Sequence, residues 1–587
     1  MEFKMKILKL VLAGLLLLWV PVVAQAQFTF ETNNGAITIT GYTSTNTVVV
    51  IPDMTNGFPV TSIAGWAFSS TNIVSVTIPD SVNTIGNGAF CGCVHLTSLT
   101  LPGSITNIGV GAFSSCLSLT NVTIPASVTS IGDYTFFYCT NLTAIVVDAA
   151  NPAYSSADGV LFNKDKTILM QFPFGKGGSY SIPGSVTSIA DEAFGMNDHG
   201  HYSFSYSACA GLTNLVIPGS VTNLDDSAFS HCTGLISIAL GNGVASIGTN
   251  AFSWCSNLTS ITIPSSVTNL DQLAFYYSGL TQVTIPGSVT HFGVGAFAVC
   301  SSLTNVTMLD GVTSIGKAGF NFCTNLTSIA IPDSLTSIGE RAFFFCTGLT
   351  NVTIPRNVAS IGDFAFSECT SLININVSAD NTFYKSVNGV LFNGDQTTLI
   401  QFPGGRGGSC RVPSGVTSIG DYAFAYIPAD LQFALILGYP LSCASLTNII
   451  IPATVTTIGD GAFGGLYNLT SVYFEGDAPA GVGGLYGNVT IYYLPETTGW
   501  DLTFGNPKLW WLPTMQNAAT SLGGQTNQFG FNIQWASDKT VVVEACTNFS
   551  NPDWQPVQTN LLTGGSAYFT DLQWTNYPSR FYRLRSP

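Results

Sequence analysis

Cysteine is the residue in this chain whose spacing points most directly to chemistry. Of the 14 cysteines, eleven share one place in a recurring CxxL motif: Cys93, Cys116, Cys139, Cys209, Cys232, Cys255, Cys300, Cys323, Cys346, Cys369 and Cys443. If the repeats stack at strand spacing, neighbouring Cα atoms would lie about 5 Å apart, which is within disulfide reach. The side chains would all point the same way, however, and Ser278 replaces one cysteine. We therefore expect mostly unpaired buried thiols and no metal site.

Acidic residues form a second recurring row just after the sequence SIG. Its members are Asp133, Asp191, Asp226, Glu340, Asp363, Asp421 and Asp460. Such a row could bind cations, or each member could cap a helical turn by accepting backbone N–H bonds. Asn87 and Thr249 occupy the same position and can also cap a turn. Capping is therefore the preferred interpretation.

The remaining candidates for chemistry are weak. His199 and His201 stand beside Asp198 but cannot complete a metal site by themselves. The GKGGS and GRGGS segments lack the spacing of a phosphate-binding loop, and NKDKT and NGDQT lack most calcium ligands. No nucleophile can be paired with an activating base. We predict a non-enzymatic protein without a cofactor or a bound metal.

These residues are positioned by a 23-residue repeat. A proline is followed by SVTSIG, then by AF, CxxL and a TxVTI run, and the phenylalanine comes eleven residues after the proline. The LxxVxI spacing of Leu119, Val122 and Ile124 is typical of a leucine-rich-repeat strand, and Val128 and Ile131 can face the core from a second short strand. The period predicts a repeat solenoid: a β-rich stack of short strands joined by helical or 3-10 turns.

A longer period is superimposed on the first. The related segments that contain GVLFNKDKT and GVLFNGDQT lie 230 residues apart, as do Pro183 and Pro413. Each predicts a strand, a turn at Lys164 and Asp165 or at Gly394 and Asp395, a second strand and a glycine-rich loop. A block of ten coils has therefore been duplicated.

Composition restricts the partners. Only 8% of residues are charged and the net charge is −15, so a nucleic-acid partner is excluded because phosphate binding requires clustered cations. Lysines, an apolar run and the sequence AQA at the N-terminus predict a signal peptide over residues 1–26. We expect an exported protein, extracellular or at the cell surface, without a membrane span after the signal is removed.

The repeats IPASVTSIGDYTFFYCTNLTAI and IPDSLTSIGERAFFFCTGLTNVTIP resemble the BspA-like leucine-rich-repeat family of surface proteins. The resemblance covers roughly residues 28 to 512 and implies a stack of β-rich coils with a role in adhesion. We expect an N-terminal cap over 27–60, a solenoid with two hairpin inserts over 61–472, a C-terminal cap over 473–513 and a small all-β module over 514–587. The tryptophans near the C-terminus are expected in the cap and module core, and Arg580, Arg583 and Arg585 in a solvated tail.

The outward strand positions are the predicted binding face. They are Asn121, Thr123, Ser260, Thr262, Gln282, Thr284, Asn305, Thr307, Asn351 and Thr353. A uniform polar ladder of this kind suits a protein, glycan or other polymer. The alternatives are a structural component of an envelope or matrix, and ice or crystal-surface binding through the threonine rows.

Overall fold

The computed structural model describes residues 27–195, 207–424, 446–481, 485, 489–500, 508–510, 512–516, 529–548, 553–573, 576 and 580–587. The chain divides into two compact units, Met1–Phe366 and Ser367–Pro587. The predicted signal peptide, the segment with His199 and His201, and Cys443 lie outside the described residues. Within the described ranges, no helix has the length and apolar character needed to cross a membrane.

In the first unit each coil contributes to two rows of parallel strands. The long-strand row consists of Val48–Val50, Ser75–Thr77, Ser98–Thr100, Asn121–Ile124, Ala144–Val147, Gly178–Ser181, Leu212–Ile217, Ser237–Leu240, Ser260–Thr262, Gln282–Ile285, Asn305–Met308, Ser328–Ala330 and Asn351–Ile354. The short-strand row consists of Phe58–Ile63, Thr84–Ile85, Asn107–Ile108, Ser130–Ile131, Ser188–Ile189, Asn223–Leu224, Ser246–Ile247, Asn269–Leu270, His291–Phe292, Ser314–Ile315, Ser337–Ile338 and Ser360–Ile361. Before the first coil, Phe28–Asn33 and Ala36–Tyr42 form an antiparallel pair, and Met54–Thr55 pairs antiparallel with Phe58–Ile63.

The LxxVxI motif explains the long-strand row. Val122 and Ile124 are buried while Asn121 and Thr123 are exposed, because side chains alternate between the two faces of a strand. The parallel register pairs Val122 with Leu99 on one side, so equivalent residues of successive coils stack. The predicted solenoid is confirmed at this level.

Phenylalanine rings form a continuous ladder in the core. Ring centroids of successive members lie 4.6–5.9 Å apart in the first unit, from Phe68 to Phe136 and again from Phe172 to Phe366. Phe172 was not part of the repeat pattern; it comes from the hairpin insert and stacks on Phe194 at 4.6 Å. The insert therefore supplies a ring in place of an ordinary coil.

Hydrogen-bonded turns, rather than helix, carry the chain over the outer side of each coil. Among the described residues, helical conformation is found in the 3-10 helix Thr563–Gly565 and at Asn576, both outside the coils. Each outer turn places two residues four apart in the left-handed region, as at Tyr134 (φ 59°) and Tyr138 (φ 56°). This conformation is costly for residues other than glycine. It is held by bonds between coils, such as that from Phe113 N to Thr135 O at 2.9 Å.

The first hairpin insert contains one more strand than predicted. Tyr154–Ala157, Val160–Asn163 and Ile168–Gln171 pair antiparallel in succession, and Ile168–Gln171 then pairs in parallel with Ser188–Ile189. The first turn consists of Asp158 (φ 49°) and Gly159 (φ 76°). Two consecutive positive φ angles are those of a type I′ hairpin turn, for which Asp-Gly is a preferred sequence.

The second unit repeats this arrangement. Its long strands are Asn374–Val377, Gly408–Arg411, Leu446–Ile451, Ser471–Phe474, Thr490–Tyr493 and Lys508–Trp510, and its short strands are Ser418–Ile419 and Thr457–Ile458. The second insert comprises Tyr384–Val387, Val390–Asn393 and Thr398–Gln401. Its first turn is again of positive φ, at Asn388 and Gly389.

A C-terminal β module completes the second unit. Thr514–Gln516, Phe529–Gln534 and Ser566–Asp571 form one antiparallel sheet, and Gln555–Leu561, Thr540–Cys546 and Phe581–Arg585 form another. Phe531, Ile533, Trp535 and Phe569 lie in its core. The predicted small all-β module is confirmed.

Candidate interaction surface

The predicted binding residues lie on the outer side of the long-strand row. Nine of the ten are exposed, and Thr307 is half-buried. Gln282 pairs with Asn305 and Thr284 pairs with Thr307, so these four side chains form two adjacent files. Parallel strands place such neighbours about 4.8 Å apart. The remaining members lie on other strands of the same row.

Some of the outward polar groups bond to one another along the row. Asn214 donates to Ser179 Oγ at 3.1 Å and accepts from Ser237 Oγ at 2.7 Å. Ser328 Oγ donates to Asn305 Oδ1 at 2.9 Å. These bonds fix amide orientations across two or three coils, so part of the surface is ordered before any partner binds.

A different threonine file has a structural role. The hydroxyl of Thr304 donates to Thr281 O at 2.9 Å, and the hydroxyl of Thr327 donates to Thr304 O at 3.1 Å. Thr129 and Thr336 do the same in the short-strand row. These hydroxyls tie each coil to the preceding one, which explains much of the threonine content without invoking a ligand.

The polar ladder is less uniform than the sequence pattern suggested. Outward strand positions of the first unit also carry exposed aliphatic side chains: Val48, Val50, Val146 and Val216, which are 46–66% exposed. Threonine and valine have nearly the same shape and strand preference, so the fold tolerates either there. The surface is therefore polar with aliphatic interruptions.

In the second unit the C-terminal module covers the corresponding positions of three strands. Ile450, Tyr473 and Tyr492 pack against the core of the C-terminal module, and the rings of Tyr473 and Tyr492 stack at 4.7 Å. Ser537 N donates to Glu475 Oε1 at 3.1 Å, and Lys539 pairs with Glu496 at 2.5 Å. This part of the row is a docking face for the module and is not available to an outside partner.

Two members of the acidic row accept backbone N–H bonds, but from donors one coil further on and not from the turn that was predicted. Asp226 Oδ1 accepts from Thr249 N at 2.8 Å, and Asp421 Oδ1 accepts from Asp460 N at 2.8 Å. Asn87 Oδ1 bonds to Val110 N in the same way. These side chains therefore link neighbouring coils and do not cap a turn of their own. Across the described residues, no three His, Cys, Asp or Glu side chains are grouped to hold a metal ion.

The cysteine row is buried, and no disulfide joins its described members. Cys323 Sγ donates to Phe297 O at 3.1 Å, and Cys346 Sγ donates to Phe320 O at 3.1 Å. These two thiols thus bond to the carbonyl of the phenylalanine in the preceding coil, whereas Cys209 bonds to Phe194 O of its own coil at 3.2 Å. Burial raises the pKa of Cys93 to about 12, so this thiol is neutral near pH 7. Mostly unpaired buried thiols were predicted here, and burial of the row agrees with the part of that prediction that concerns packing.

The prediction of a solvated basic tail is wrong. Arg583 and Arg585 both bond to Glu544, at 2.7 and 2.8 Å, and Arg580 pairs with Asp571 at 3.0 Å. Arg580 directly precedes the strand Phe581–Arg585, which contains the other two arginines. Pairing of this strand with Thr540–Cys546 positions Arg583 and Arg585 beside Glu544. Trp500 and Trp535 are buried, as expected for cap and module cores.

The glycine-rich segments are packed turns. A Cβ on Gly175 would lie 2.6 Å from the backbone of Asn141, and one on Gly405 would lie 2.6 Å from the backbone of Ser371. The sequence indicated flexible loops, whereas these glycines are required by close approach of the chain to the preceding coil.

A family model described as the BspA type leucine rich repeat region matches six copies in this sequence. The matched residues are 61–162, 197–327, 293–429 and 439–478, which is more than half of the chain. The chain belongs to the BspA-type leucine-rich-repeat family. The predicted resemblance is therefore confirmed. No curated protein matches this sequence.

Several solved structures are similar to this BspA-type chain. A leucine-rich repeat protein from Bacteroides ovatus is 24% identical with a TM-score of 0.43, covering 76% of this chain and 93% of its own. The pneumococcal vaccine antigen PcpA is 20% identical with a TM-score of 0.35, covering 53% and 92%. A leucine rich cell surface protein from Faecalibacterium prausnitzii is 23% identical with a TM-score of 0.30, covering 77% and 94%. Membership of the BspA-type family suggests a binding or adhesion role and leaves the partner unspecified.

Proposed function

We propose that this protein is an exported, non-enzymatic adhesion protein that binds a glycan, polymer or protein through the long-strand row of its first unit. The observation that carries the proposal is the contrast between two threonine files. The hydroxyls of Thr281 and Thr304 are used between coils. Those of Thr123, Thr284 and Thr353 make no hydrogen bond to the described residues and point outward.

The chemistry of this surface favours a partner that forms hydrogen bonds. Its amides and hydroxyls are uncharged, so long-range electrostatic steering contributes little to association. The aliphatic interruptions at Val146 and Val216 add apolar contacts beside the polar groups. An extended partner could meet several equivalent coils at once, which raises the overall affinity without strong individual contacts.

The proposal is tested by binding of the purified protein to arrays of glycans and of matrix proteins. For any partner found, Thr284→Val and Thr307→Val together should weaken binding at least tenfold, because valine keeps the shape and removes both hydroxyls. The matched control is Thr268→Val with Thr290→Val on the short-strand row, where the hydroxyls bond to backbone carbonyls. The control should leave affinity unchanged.

Absence of binding on both arrays would contradict the proposal. Equal loss of affinity in the variant and the control would place the contact elsewhere. Self-association of the isolated protein at its native concentration would favour the structural envelope or matrix role instead. Thermal hysteresis in a cold-stage assay would favour ice binding.

A further inference from the structure

The duplicated hairpin inserts provide two versions of one local structure. Tyr180 pairs with Leu215 in the first block, and Cys410 pairs with Ile449 in the second, in strands with the same register shift after their first residue. Tyr180 and Cys410 are also 230 residues apart, like the blocks themselves. They therefore occupy equivalent positions, and each block serves as the internal comparison for the other.

In the first block a tyrosine side chain fills the interior of the insert. Tyr180 is 7% exposed, and its ring centroid lies 5.2 Å from that of Phe172. Its phenolic oxygen is buried without a hydrogen-bond partner among the described residues. Burial, followed by the nearby carboxylate of Asp158, raises the pKa of this phenol. The phenol thus stays neutral and acts as a packing group.

In the second block the smaller Cys410 borders a cavity of about 440 Å³ that opens to solvent. Its apolar walls include Phe392, Leu399, Phe402 and Val412. A volume of this size is within the range of sites for small molecules. An unfilled cavity lined by such side chains reduces stability, so an occupant would restore packing that the first block obtains from its tyrosine.

The charge around the cavity has also changed between the blocks. In the first block Lys176 lies 3.1 Å from Asp158. The equivalent residues of the second block are Arg406 and Asn388, so the cation is retained and its carboxylate is lost. Arg406 donates through Nε to Ile373 O at 2.7 Å and through Nη2 to Asn374 Oδ1 at 3.0 Å, and its Nη1 has no acceptor among the described residues.

A second arginine borders the same cavity. Arg411 replaces Ser181 of the first block and bonds through Nη2 to both carboxylate oxygens of Glu475 at 2.8 Å. That pair is locally balanced, so of the two arginines Arg406 is the one without a carboxylate partner in the part of the chain that the structure describes. A guanidinium held by neutral acceptors is a good partner for an anionic group.

We propose that this cavity binds a small molecule with an aromatic ring and an anionic group. The ring takes the place that the Tyr180 ring occupies in the first block, and the anionic group contacts Arg406 and Asn388. Cys410 forms part of the wall and takes no part in covalent chemistry. This site is separate from the long-strand row of the first unit. The protein would therefore bind a small molecule in addition to its proposed adhesion partner.

The test is calorimetric titration of the purified protein with 4-hydroxybenzoate. Neutral p-cresol and cationic tyramine are the matched probes, since they share the ring and differ in charge. We expect 4-hydroxybenzoate to bind at least tenfold more tightly than p-cresol, and tyramine to bind most weakly. No binding of 4-hydroxybenzoate at millimolar concentration would overturn the site, and equal affinity for all three would overturn the role of Arg406.

Two variants separate the cavity from the charge. Cys410→Tyr should refill the space as in the first block and weaken binding at least tenfold, with an unfolding midpoint equal to or above that of the parent protein. Asn388→Asp should re-create the carboxylate partner of the first block and weaken binding of the anion while p-cresol is unaffected. The control Tyr180→Phe alters the first block only and should leave binding unchanged. Unchanged affinity in Cys410→Tyr would overturn the proposal.

Discussion

Buried thiols of the CxxL row donate hydrogen bonds to backbone carbonyls, which explains the choice of cysteine there. Cys255 Sγ donates to Phe229 O at 3.1 Å, and Cys139 Sγ donates to Phe113 O at 3.2 Å. The thiol is small and apolar enough for the core, and it gives a second hydrogen bond to a carbonyl that already accepts a backbone N–H within its turn. Ser278 keeps an oxygen at this position, 3.2 Å from Cys300 Sγ.

Thiol reactivity tests this description of single residues. At pH 8 the buried thiols should react slowly with a disulfide reagent in the native protein and completely after denaturation. Burial raises the pKa of Cys93 to about 12 and also raises that of Cys255, and the thiolate is the reactive form. The half-buried Cys91 should react before the other described cysteines. The second measurement is the intact mass after mild oxidation. A mass decrease from loss of hydrogen, which would show disulfide formation in the buried row, would contradict unpaired packing.

At the scale of the elements, coils are linked by repeated contacts at equal positions. Strand pairing, threonine hydroxyls, thiols and the acidic row all bond from one coil to its neighbour. A single contact of this kind contributes about 1 kcal/mol or less. Cohesion of the stack therefore comes from their repetition together with the phenylalanine ladder.

Asp226 provides a test of one such link. Asp226→Ala removes the acceptor of Thr249 N and should lower the local free energy of opening by about 1 kcal/mol. Asp226→Asn is the matched control, because its amide oxygen can accept the same bond, as Asn87 does from Val110 N. Hydrogen exchange at the Thr249 amide is the measurement. Equal exchange rates in the two variants would show that the acceptor is unimportant.

The first hairpin turn gives a second test at this scale. In Gly159→Ala the new Cβ would lie 2.9 Å from Ala144 Cβ at a residue with φ of +76°. We expect a loss of roughly 1–3 kcal/mol in the free energy of unfolding. Gly184→Ala is the control, since its Cβ would have no atom within 4 Å. Chemical denaturation of both variants compares them, and similar midpoints would argue against a constrained turn.

At the scale of the whole molecule, the chain ends in a module that packs on its own solenoid within the second unit. Glu544 is 7% exposed on its side chain and is held by Arg583 and Arg585. Hydrogen bonds from Arg585 and then Arg583 hold the pKa of Glu544 below its ordinary value of 4.5. Ion pairs of Arg583 and Arg585 with Glu544 thus join the last strand of the module to its neighbour.

This arrangement predicts an acid-sensitive C-terminal module. A depressed carboxyl pKa stabilises the folded state above the unfolded value of 4.5, and that stabilisation is lost as the pH falls below 4.5 through the folded pKa. Limited proteolysis should therefore cleave the module faster at pH 3 than at pH 6. In Glu544→Gln the difference between the two pH values should shrink. Equal pH dependence in the variant and the parent protein would assign the effect to other carboxyl groups.

Repetition made the coil predictable from the sequence. Pro125, Leu119 and Phe136 recur at fixed positions, so their spacing identified strands and core before any contact was known. Hydrogen-bond partners in neighbouring coils were harder to predict. The bond from Thr249 N to Asp226, for example, depends on the register in which the coils stack. The sequence was sufficient to place the proposed binding residues on an outward face. It did not indicate which threonine hydroxyls form hydrogen bonds between coils and which do not.

Two misses had signals in the sequence. Asp-Gly at 158–159 and Asn-Gly at 388–389 are strong hairpin signals. The prediction placed a turn only at the later positions, Lys164 and Asp165 or Gly394 and Asp395. The outward strand positions change from threonine and asparagine to Ile450, Tyr473 and Tyr492 where the module packs. By contrast, the cavity beside Cys410 results from three-dimensional packing, which cannot be predicted from the spacing of residues in the sequence.

One coil is a residue shorter than its neighbours. Phe275 and Phe297 are 22 residues apart and still stack at 4.9 Å with an interplanar angle of 5°. The missing residue falls in the turn between Ser278 and Leu280, outside the strands. At the level of the gene, in-frame recombination between any two coils therefore yields a protein in which each newly adjacent pair of coils makes the same contacts as an existing pair. We expect relatives of this protein to differ from it in the number of coils more often than in the residues that build each coil.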